Sequence, residues 1–346
     1  MQVDHQIGVA IIGFGMSGKI FHLPPLINHE SFKVVSILTN NQINIIELKL
    51  HYPNIRVISK IEEALTDTSV DLMIIATPNE QHGEYTRLAL LAGKHVVVEK
   101  PFTETFGEAK DLFALANGNN KVLRVFHNRQ YDGDILTVHD VLNSGKLGKI
   151  LSFSARFDTY EPIVKNGWRD KMGVLPGVFN DLAPHLIDHC LRLFGMPRRG
   201  YAKSYRDRVA AIVDDHFELT LYYDNFVAYL GAQKLDRNPL PRFQLVGTNA
   251  TYVKYGFDDP DLIHYQGETE FHELSNNSRI IYSNNQQDDE LIPVKMGKHY
   301  MFYDNLARDI KVFKQDDLEI ELALKVVAIM DLARISMAEN REVLLS

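Results

Sequence analysis

The sequence is poor in cysteine, tryptophan, long apolar runs and net positive charge. Cys190 is the only cysteine among 346 residues, so an internal disulfide is excluded and a reducing compartment is expected. No apolar run approaches the roughly 18 residues that a membrane span needs. The opening Met-Gln-Val-Asp-His-Gln has no basic segment followed by an apolar one, so no secretory signal is expected and the location reads as cytoplasmic. With 37 basic and 45 acidic residues the formal charge is −8. Nucleic acids and anionic membranes call for a basic face, so neither is an expected partner. Metal-ligand spacing is also missing. His185 and His189 stand one helical turn apart, but no glutamate completes a zinc motif, and no metal is expected. There is no internal repeat and no low-complexity tract.

What remains is an ordinary globular composition, 45% hydrophobic and 24% charged, in a chain long enough for two domains. Its most informative stretch is Gly8-Val-Ala-Ile-Ile-Gly-Phe-Gly-Met-Ser-Gly18. Val9 to Ile12 form a continuous apolar run, as in a strand buried on both faces of a parallel sheet. Gly13, Gly15 and Gly18 follow at G-x-G-x-x-G spacing. The first permits a tight turn, the second lets a pyrophosphate approach the backbone, and the third lets helix and strand pack closely. The pattern alone is weak evidence, but a preceding strand and a following helix are the context that gives it meaning. Dinucleotide binding is therefore expected, with Gly13, Phe14, Gly15, Met16 and Ser17 at the cofactor.

Strand and helix patterns then alternate to about residue 126. Pro24 and Pro25 make the first helix short or irregular. Strands are expected at 32–38, 55–58, 70–76, 95–98 and 122–126, and helices at 42–51, 80–92 and 104–117. Such alternation means a doubly wound parallel sheet of Rossmann type over residues 1–126. Ligands bind such sheets beyond the carboxyl ends of the strands. At the end of the second strand stand Thr39, Asn40 and Asn41, with no acid to hold an adenosine ribose or repel a 2′-phosphate. This tilts the expectation toward NADP, with NAD as the alternative; a plain turn is the bland reading, since Asn is common in turns.

Three further stretches invite chemistry. Glu99-Lys100-Pro101 follows a buried strand, and the proline rigidifies the turn. Phe126-His127-Asn128-Arg129 closes the sixth strand. In Asn180 to His189, a helical reading places Leu182, Leu186, Cys190 and Leu193 on an apolar side, and Asp181, His185, Asp188 and Arg192 on a polar one. Pro184 fits if it lies in the first turn, and Gly195 with Pro197 ends the helix. The bland reading of His185 is a solvated histidine on that polar face.

These motifs together resemble the Gfo/Idh/MocA family of NAD(P)-dependent oxidoreductases. The resemblance runs through Gly13 to Gly18, Ala76-Thr77-Pro78-Asn79 with His82, Ala92 to Val96, Glu99-Lys100-Pro101, and Asp181 with His185. Within the family the chain is most similar to the branch of NADP-type scyllo-inositol dehydrogenases. That likeness rests on Phe126 to Arg129, Asp132-Gly133-Asp134, Trp168-Arg169, Asp181 to Asp188, and Pro241 to Gln244. It covers nearly the whole chain. Tyr131 departs from a common tryptophan, and Asn40-Asn41 from a serine–arginine pair that grips the 2′-phosphate.

The resemblance implies roles for matched positions. Lys100 is the active-site lysine, Asp181 the substrate-orienting acid and His185 the catalytic histidine. Ala76, Thr77, Pro78, Asn79, His82, Glu99, Lys100 and Asn128, with Thr39 and Asn40, are implied at the cofactor. Asn128, Arg129, Tyr160 and Trp168, with Lys100, Asp181 and His185, are implied at a polyol, inositol or sugar substrate. The chemistry is coherent: oxidising a secondary alcohol sends a hydride to the cofactor and a proton to a base, for which histidine suits. Trp168 is equally readable as a core residue. A reductase of another carbonyl or imine, and a non-catalytic cofactor sensor, are the rival readings.

Beyond residue 126 a helix is expected at 131–144. From Ile150 the apolar period falls to two, with further alternation at 216–231, 242–246, 251–255 and 279–283. Such strands imply a second domain, residues 127–346, of α+β type around an open, mostly antiparallel sheet. The resemblance gives that sheet's open face to a homodimer or homotetramer. Residues 258–298 read as a solvated, loop-rich segment. Helices return at 302–313 and about 318–340, where Leu322, Val326, Ile329, Met330, Ala333 and Met337 form a core-facing stripe that packs back on the body.

Overall fold

The computed structural model describes residues 6–165, 167, 170–257, 278–282, 288–312, 314 and 316–345. Trp168, Arg169 and the acidic pair Asp258-Asp259 lie outside them. The described residues divide into two units, one holding 6–126 with 299–324, the other 127–257 with 278–298 and 325–345.

The first unit is built on six strands: β1 (Ile7–Ile12), β2 (Phe32–Leu38), β3 (Arg56–Ile58), β4 (Leu72–Ile75), β5 (His95–Val98) and β6 (Leu123–Val125). All pair in parallel, in the order β3-β2-β1-β4-β5-β6. Every residue of β1, β4 and β5 is buried, as expected where helices cover both faces. The order reverses between β1 and β4, whose ends at Gly13 and Ala76 mark the crevice where such sheets bind ligands. Local rules set the helices. Asn41 caps the helix Gln42–His51 by accepting from the Ile43 and Asn44 N–H groups, and Thr105 caps Phe106–Gly118 by accepting from Glu108. The two prolines do shorten the first helix: a π-helical turn, Ser17–His22, passes into Leu23–Ile27.

Residues 299–324 belong to this unit as well, so the second unit is not the uninterrupted 127–346 of a simple two-block division. Side-chain pairing gives the reason. From the helix Tyr300–Val312, buried Asp309 accepts from Arg124 Nε of β6 at 3.2 Å, and Phe302 packs edge-on against Phe126 with ring centroids 4.7 Å apart. Breaking such a buried pair from one side leaves a stranded charge. The second boundary falls inside the helix Asp317–Glu339, between Leu324 and Lys325. The expected stripe is buried there at Leu322, Val326, Ile329, Met330 and Ala333.

The second unit carries a nine-stranded sheet. Its strands are β7 (Ile150–Arg156), β8 (Arg199–Tyr205), β9 (His216–Tyr222), β10 (Val227–Gln233), β11 (Phe243–Gly247), β12 (Ala250–Lys254), β13 (Ser278–Tyr282), β14 (Glu290–Leu291) and β15 (Val343–Leu344). The order is β14-β13-β12-β11-β7-β10-β9-β8-β15, antiparallel except for the β7–β10 pair. Alternation sends Phe153, Ala155, Phe217, Leu219, Leu221, Ala228 and Leu230 to the buried face. The stretch expected at 216–231 is a hairpin, β9–β10, turning at Asp224-Asn225. β8 was not expected, because small Gly200 and Ala202 are its buried residues and leave little hydrophobic alternation to read.

The helix Gly177–Phe194 packs on the buried face, next to β9 and β10. It differs from expectation in two ways. It starts early enough that Pro184 lies inside it rather than in the first turn, with no N–H to offer the Asn180 carbonyl. Against the bland reading of a solvated polar side, His185 and Asp188 are buried, at 5% and 1% exposure, and Asp181 and Arg192 are half-buried. Among the described residues, no helix is long and apolar enough to cross a membrane.

Candidate active site

The candidate residues divide between the units, and each set is described within its own. In the first unit the three glycines answer to different constraints. Gly13 has φ +103°, and a Cβ there would lie 2.4 Å from the Ala76 carbonyl oxygen. At Gly18 a Cβ would lie 2.4 Å from the Gly13 carbonyl oxygen. Gly15 is exposed, and a Cβ would meet no protein atom within 4 Å. The protein's own packing therefore demands glycine at 13 and 18 but leaves open space at 15, where a pyrophosphate must come close to the backbone. The turn fits a dinucleotide.

Around it, Met16 is exposed, but the Phe14 ring is buried at 4% and its carbonyl accepts from Asn44 Nδ2 at 2.8 Å. Phe14 thus offers a cofactor little beyond backbone. At the end of β2, Thr39 is buried and its hydroxyl accepts from the Asn41 N–H at 3.3 Å. Asn40 is exposed, its amide reaching the Ser59 carbonyl at 3.4 Å. Asn41 spends its side-chain oxygen on the helix cap. Of the three residues offered to a ribose or 2′-phosphate, Asn40 and Asn41 are exposed, and Asn41 has its side-chain oxygen engaged in the cap.

After β4, Ala76 donates its N–H to the Ile12 carbonyl, which ties the two strand ends. Asn79 is buried and Pro78 exposed. His82, expected beside a nicotinamide, is enclosed by backbone. Its ring is 1% exposed and wedged between the Pro101 carbonyl (Nδ1, 2.7 Å) and the Thr77 carbonyl (Nε2, 2.9 Å). Burial lowers its pKa, against the pull of the two carbonyls. His82 braces the Thr77 turn against the Pro101 turn.

Glu99, at the end of β5, is the hub of this unit. It is 8% exposed and accepts from the Ser17 hydroxyl, from His22 Nε2 at 3.1 Å and from the Lys100 N–H at 3.2 Å. A carboxylate only accepts, so His22 donates to it from Nε2, and the His22 Nδ1 shares a hydrogen bond with the Tyr303 hydroxyl at 2.6 Å. Burial opposes the charge, but His22, through its hydrogen bond and electrostatically, the Ser17 hydrogen bond and the Lys100 ammonium outweigh it and hold the carboxyl below its usual range. Half-buried Lys100 follows, joined to Pro101 by a cis peptide.

In the second unit the helix Gly177–Phe194 presents half-buried Asp181 and, one turn on, buried His185. Phe157 is the ring around which the site residues gather. His185 meets it edge-on at 6.4 Å, and the Arg129 and Arg242 guanidinium groups lie 5.4 and 3.8 Å from its centroid. Arg129 also pairs with Asp132 at 2.9 Å, and its carbonyl accepts from His189 Nε2 at 3.2 Å. Burial first, then the Arg242 charge, push His189 down to about 4, so it is neutral and braces the Asn128–Tyr131 turn. Asp188 lies 3.6 Å from His127 and 2.9 Å from Arg192. Buried Asn128 sits in the same turn. Tyr160 is set apart: it bridges to Leu235, is 45% exposed, and Arg237 both stacks on its ring (4.6 Å) and donates to its hydroxyl (2.6 Å). Phe157 and Arg242 escaped the sequence reading as site residues. Arg242 had a signal in the Pro241 to Gln244 motif; Phe157 had none beyond strand alternation. Among the described residues, no three His, Cys, Asp or Glu side chains group as a metal site.

The start of the catalytic-helix candidate is held from outside. Asp214 accepts from the Phe179 N–H at 2.7 Å, and Val178 donates to its carbonyl at 3.0 Å. A Cβ at Gly177 would lie 2.0 Å from the Asp214 carboxylate, so only glycine lets the cap approach. Burial pushes the Asp214 carboxyl up from 3.8 to about 6. The native state therefore binds this proton more tightly than the unfolded chain. Its contribution to stability is greatest at low pH and is lost as pH rises from about 4 to 6. Discounted for partial exposure, that loss is on the order of 2 kcal/mol. Asp214→Asn keeps the acceptor and removes the titration, so its melting temperature is expected to lose this pH dependence. An unchanged slope in the variant would assign the dependence elsewhere.

Comparison with known proteins places this geometry. Residues 7–127 match the model of an oxidoreductase family with an NAD-binding Rossmann fold, and residues 135–253 match the GFO/IDH/MocA C-terminal domain. The chain is 32% identical to scyllo-inositol 2-dehydrogenase (NADP(+)) of Bacillus subtilis (strain 168), over 98% of this chain and 96% of that one. An oxidoreductase structure from Bacillus cereus superposes with a TM-score of 0.85 at 27% identity, covering 99% of each chain. Levoglucosan dehydrogenase in complex with NADH and levoglucosan shares the fold, with a TM-score of 0.76 at 19% identity over 98% of this chain and 99% of that one.

Proposed function

The chain belongs to the Gfo/Idh/MocA family of oxidoreductases, and from that premise we propose that it moves a hydride between NADP and a secondary alcohol or ketone of an inositol, polyol or sugar. The observation that carries the reading is the pairing of an open cradle at Gly15 with retained Lys100, Asp181 and His185. A family member reduced to cofactor sensing has no need of that lysine and histidine. When bound, the nicotinamide supplies the hydride chemistry. The protein supplies the rest. His185 takes the hydroxyl proton as general base, Lys100 stabilises the developing alkoxide, and Asp181 orients a substrate hydroxyl or the imidazole. Arg129 and Asn128 add donors for a ligand that carries many hydroxyls.

NADP is preferred over NAD in this reading because no acid follows β2 and exposed Asn40 offers an amide to a 2′-phosphate. The 32% identity with an NADP-dependent enzyme supports the same choice. The open face of the nine-stranded sheet, where Tyr229 and Ile281 are exposed, is the surface proposed for a homodimer or homotetramer. A cytoplasmic location belongs to the same reading, and the single cysteine is compatible with it. The test is growth of the reduced-nicotinamide absorbance band with scyllo-inositol, myo-inositol and a panel of polyols. Turnover of at least one, faster with NADP than NAD, is expected. Tight cofactor binding with no polyol turned over would overturn the substrate class.

A further inference from the structure

The Glu99 hub does more than join two turns. Its carboxylate is anchored on both sides of the cofactor crevice, by Ser17 just after the glycine turn and by the Lys100 N–H just after β5. It is also anchored from behind, where His22 donates to it and the Tyr303 hydroxyl, on the helix Tyr300–Val312, is hydrogen-bonded in turn to His22. Three donors and a second-line hydroxyl are far more than a structural tie needs. They are the means of keeping one negative charge unprotonated in a place 8% exposed to solvent. No dinucleotide phosphate gains from an anion nearby, so the charge is not there to hold the phosphates.

We propose that the buried Glu99 carboxylate biases the site toward the oxidised form of the cofactor and so sets which redox state the protein holds more tightly. This rests on the dinucleotide-binding reading above. Oxidised and reduced cofactors carry the same phosphates, and repulsion between those phosphates and Glu99 cancels between them. They differ by one positive charge on the nicotinamide ring, present only in the oxidised form. A fixed anion in the same low-dielectric crevice attracts that form selectively. His22 donates to the carboxylate from Nε2 and so fixes its position. The Lys100 ammonium acts in the opposite sense, and the pair leaves the net bias adjustable by substitution. A site that favours oxidised cofactor shifts the bound equilibrium toward alcohol plus oxidised nicotinamide, the carbonyl-reducing direction.

The experiment measures dissociation constants for NADP+ and NADPH, in the absence of substrate, for the wild type and for Glu99→Asp, Glu99→Gln and Glu99→Met. The quantity read is the ratio of the NADPH constant to the NADP+ constant. Glu99→Asp keeps the charge and is expected to keep the ratio, even where both affinities weaken. The two charge-free variants are expected to lower it by about tenfold, the scale of one unit charge acting through a protein interior of effective dielectric constant about 20. A purely structural Glu99 would weaken both forms by the same factor in Glu99→Gln or Glu99→Met; that unchanged ratio would overturn the proposal. Failure of the wild type to bind either form would instead remove the dinucleotide-binding reading itself.

Discussion

His185→Ala is expected to lower kcat by at least about 100-fold with the turned-over polyol, the usual effect of removing a general base. The cofactor dissociation constant is expected to stay within about twofold of wild type, because His185 belongs to the second unit while the cofactor turn belongs to the first. The ring is well placed for the work. It is 5% exposed, held on an 18-residue helix, and flanked by the Phe157 ring rather than by water. Rigid placement of this kind is what makes a base effective, since small displacements of a catalytic group cost large factors in rate. The substitution removes only a side chain at a position whose neighbours Ala183, Leu186 and Ile187 carry the packing, so folding should survive. A loss confined to KM, with kcat intact, would make His185 a binding residue and move the base elsewhere.

Gly13→Ala is expected to abolish measurable dinucleotide binding and to destabilise the protein by about 3 kcal/mol or more. Two penalties coincide. The backbone at φ +103° suits glycine, and the added Cβ would lie 2.4 Å from the Ala76 carbonyl oxygen, a contact with backbone that cannot swing aside. Relief requires β1 and β4 to part at their carboxyl ends, which opens the crevice that shapes the cofactor turn. Gly15→Ala is the informative contrast. Nothing in the protein opposes its Cβ, so the fold is expected to melt as wild type while cofactor affinity falls. Equal losses of stability in both variants would mean that the open space at Gly15 is not a ligand cradle.

The difference between those glycines marks how far sequence reaches. The G-x-G-x-x-G spacing located the turn, and the apolar runs at Val9 to Ile12 and His95 to Val98 located β1 and β5, because a strand buried on both faces has no alternative pattern. What escaped was pairing between distant residues. Arg124 and Asp309 are 185 positions apart, and Tyr303 reaches His22 across 281, so no window of sequence joins the Tyr300–Val312 helix to the first unit. The polar side of the helix Gly177–Phe194 looked solvated for the same reason: the Asp188 partners His127 and Arg192 and the brace from His189 to the Arg129 carbonyl bury it. His82 belonged to a recognisable motif, but its role depends on two carbonyls, at Thr77 and Pro101, that side-chain identity does not reveal. The site residues carried by family resemblance fall in both units, and their joint action is part of the proposal.

The most direct test of the central claim is a substrate-free titration of the protein with NADPH and NADH, followed by the change in cofactor fluorescence on binding. Saturable binding of both, tighter for NADPH by about tenfold or more, is the expected result, since Asn40 is open to a 2′-phosphate and no acid at the end of β2 repels it. Binding of neither form, by a protein with an intact melting transition, would contradict the dinucleotide-dependent oxidoreductase reading from the glycine turn upward.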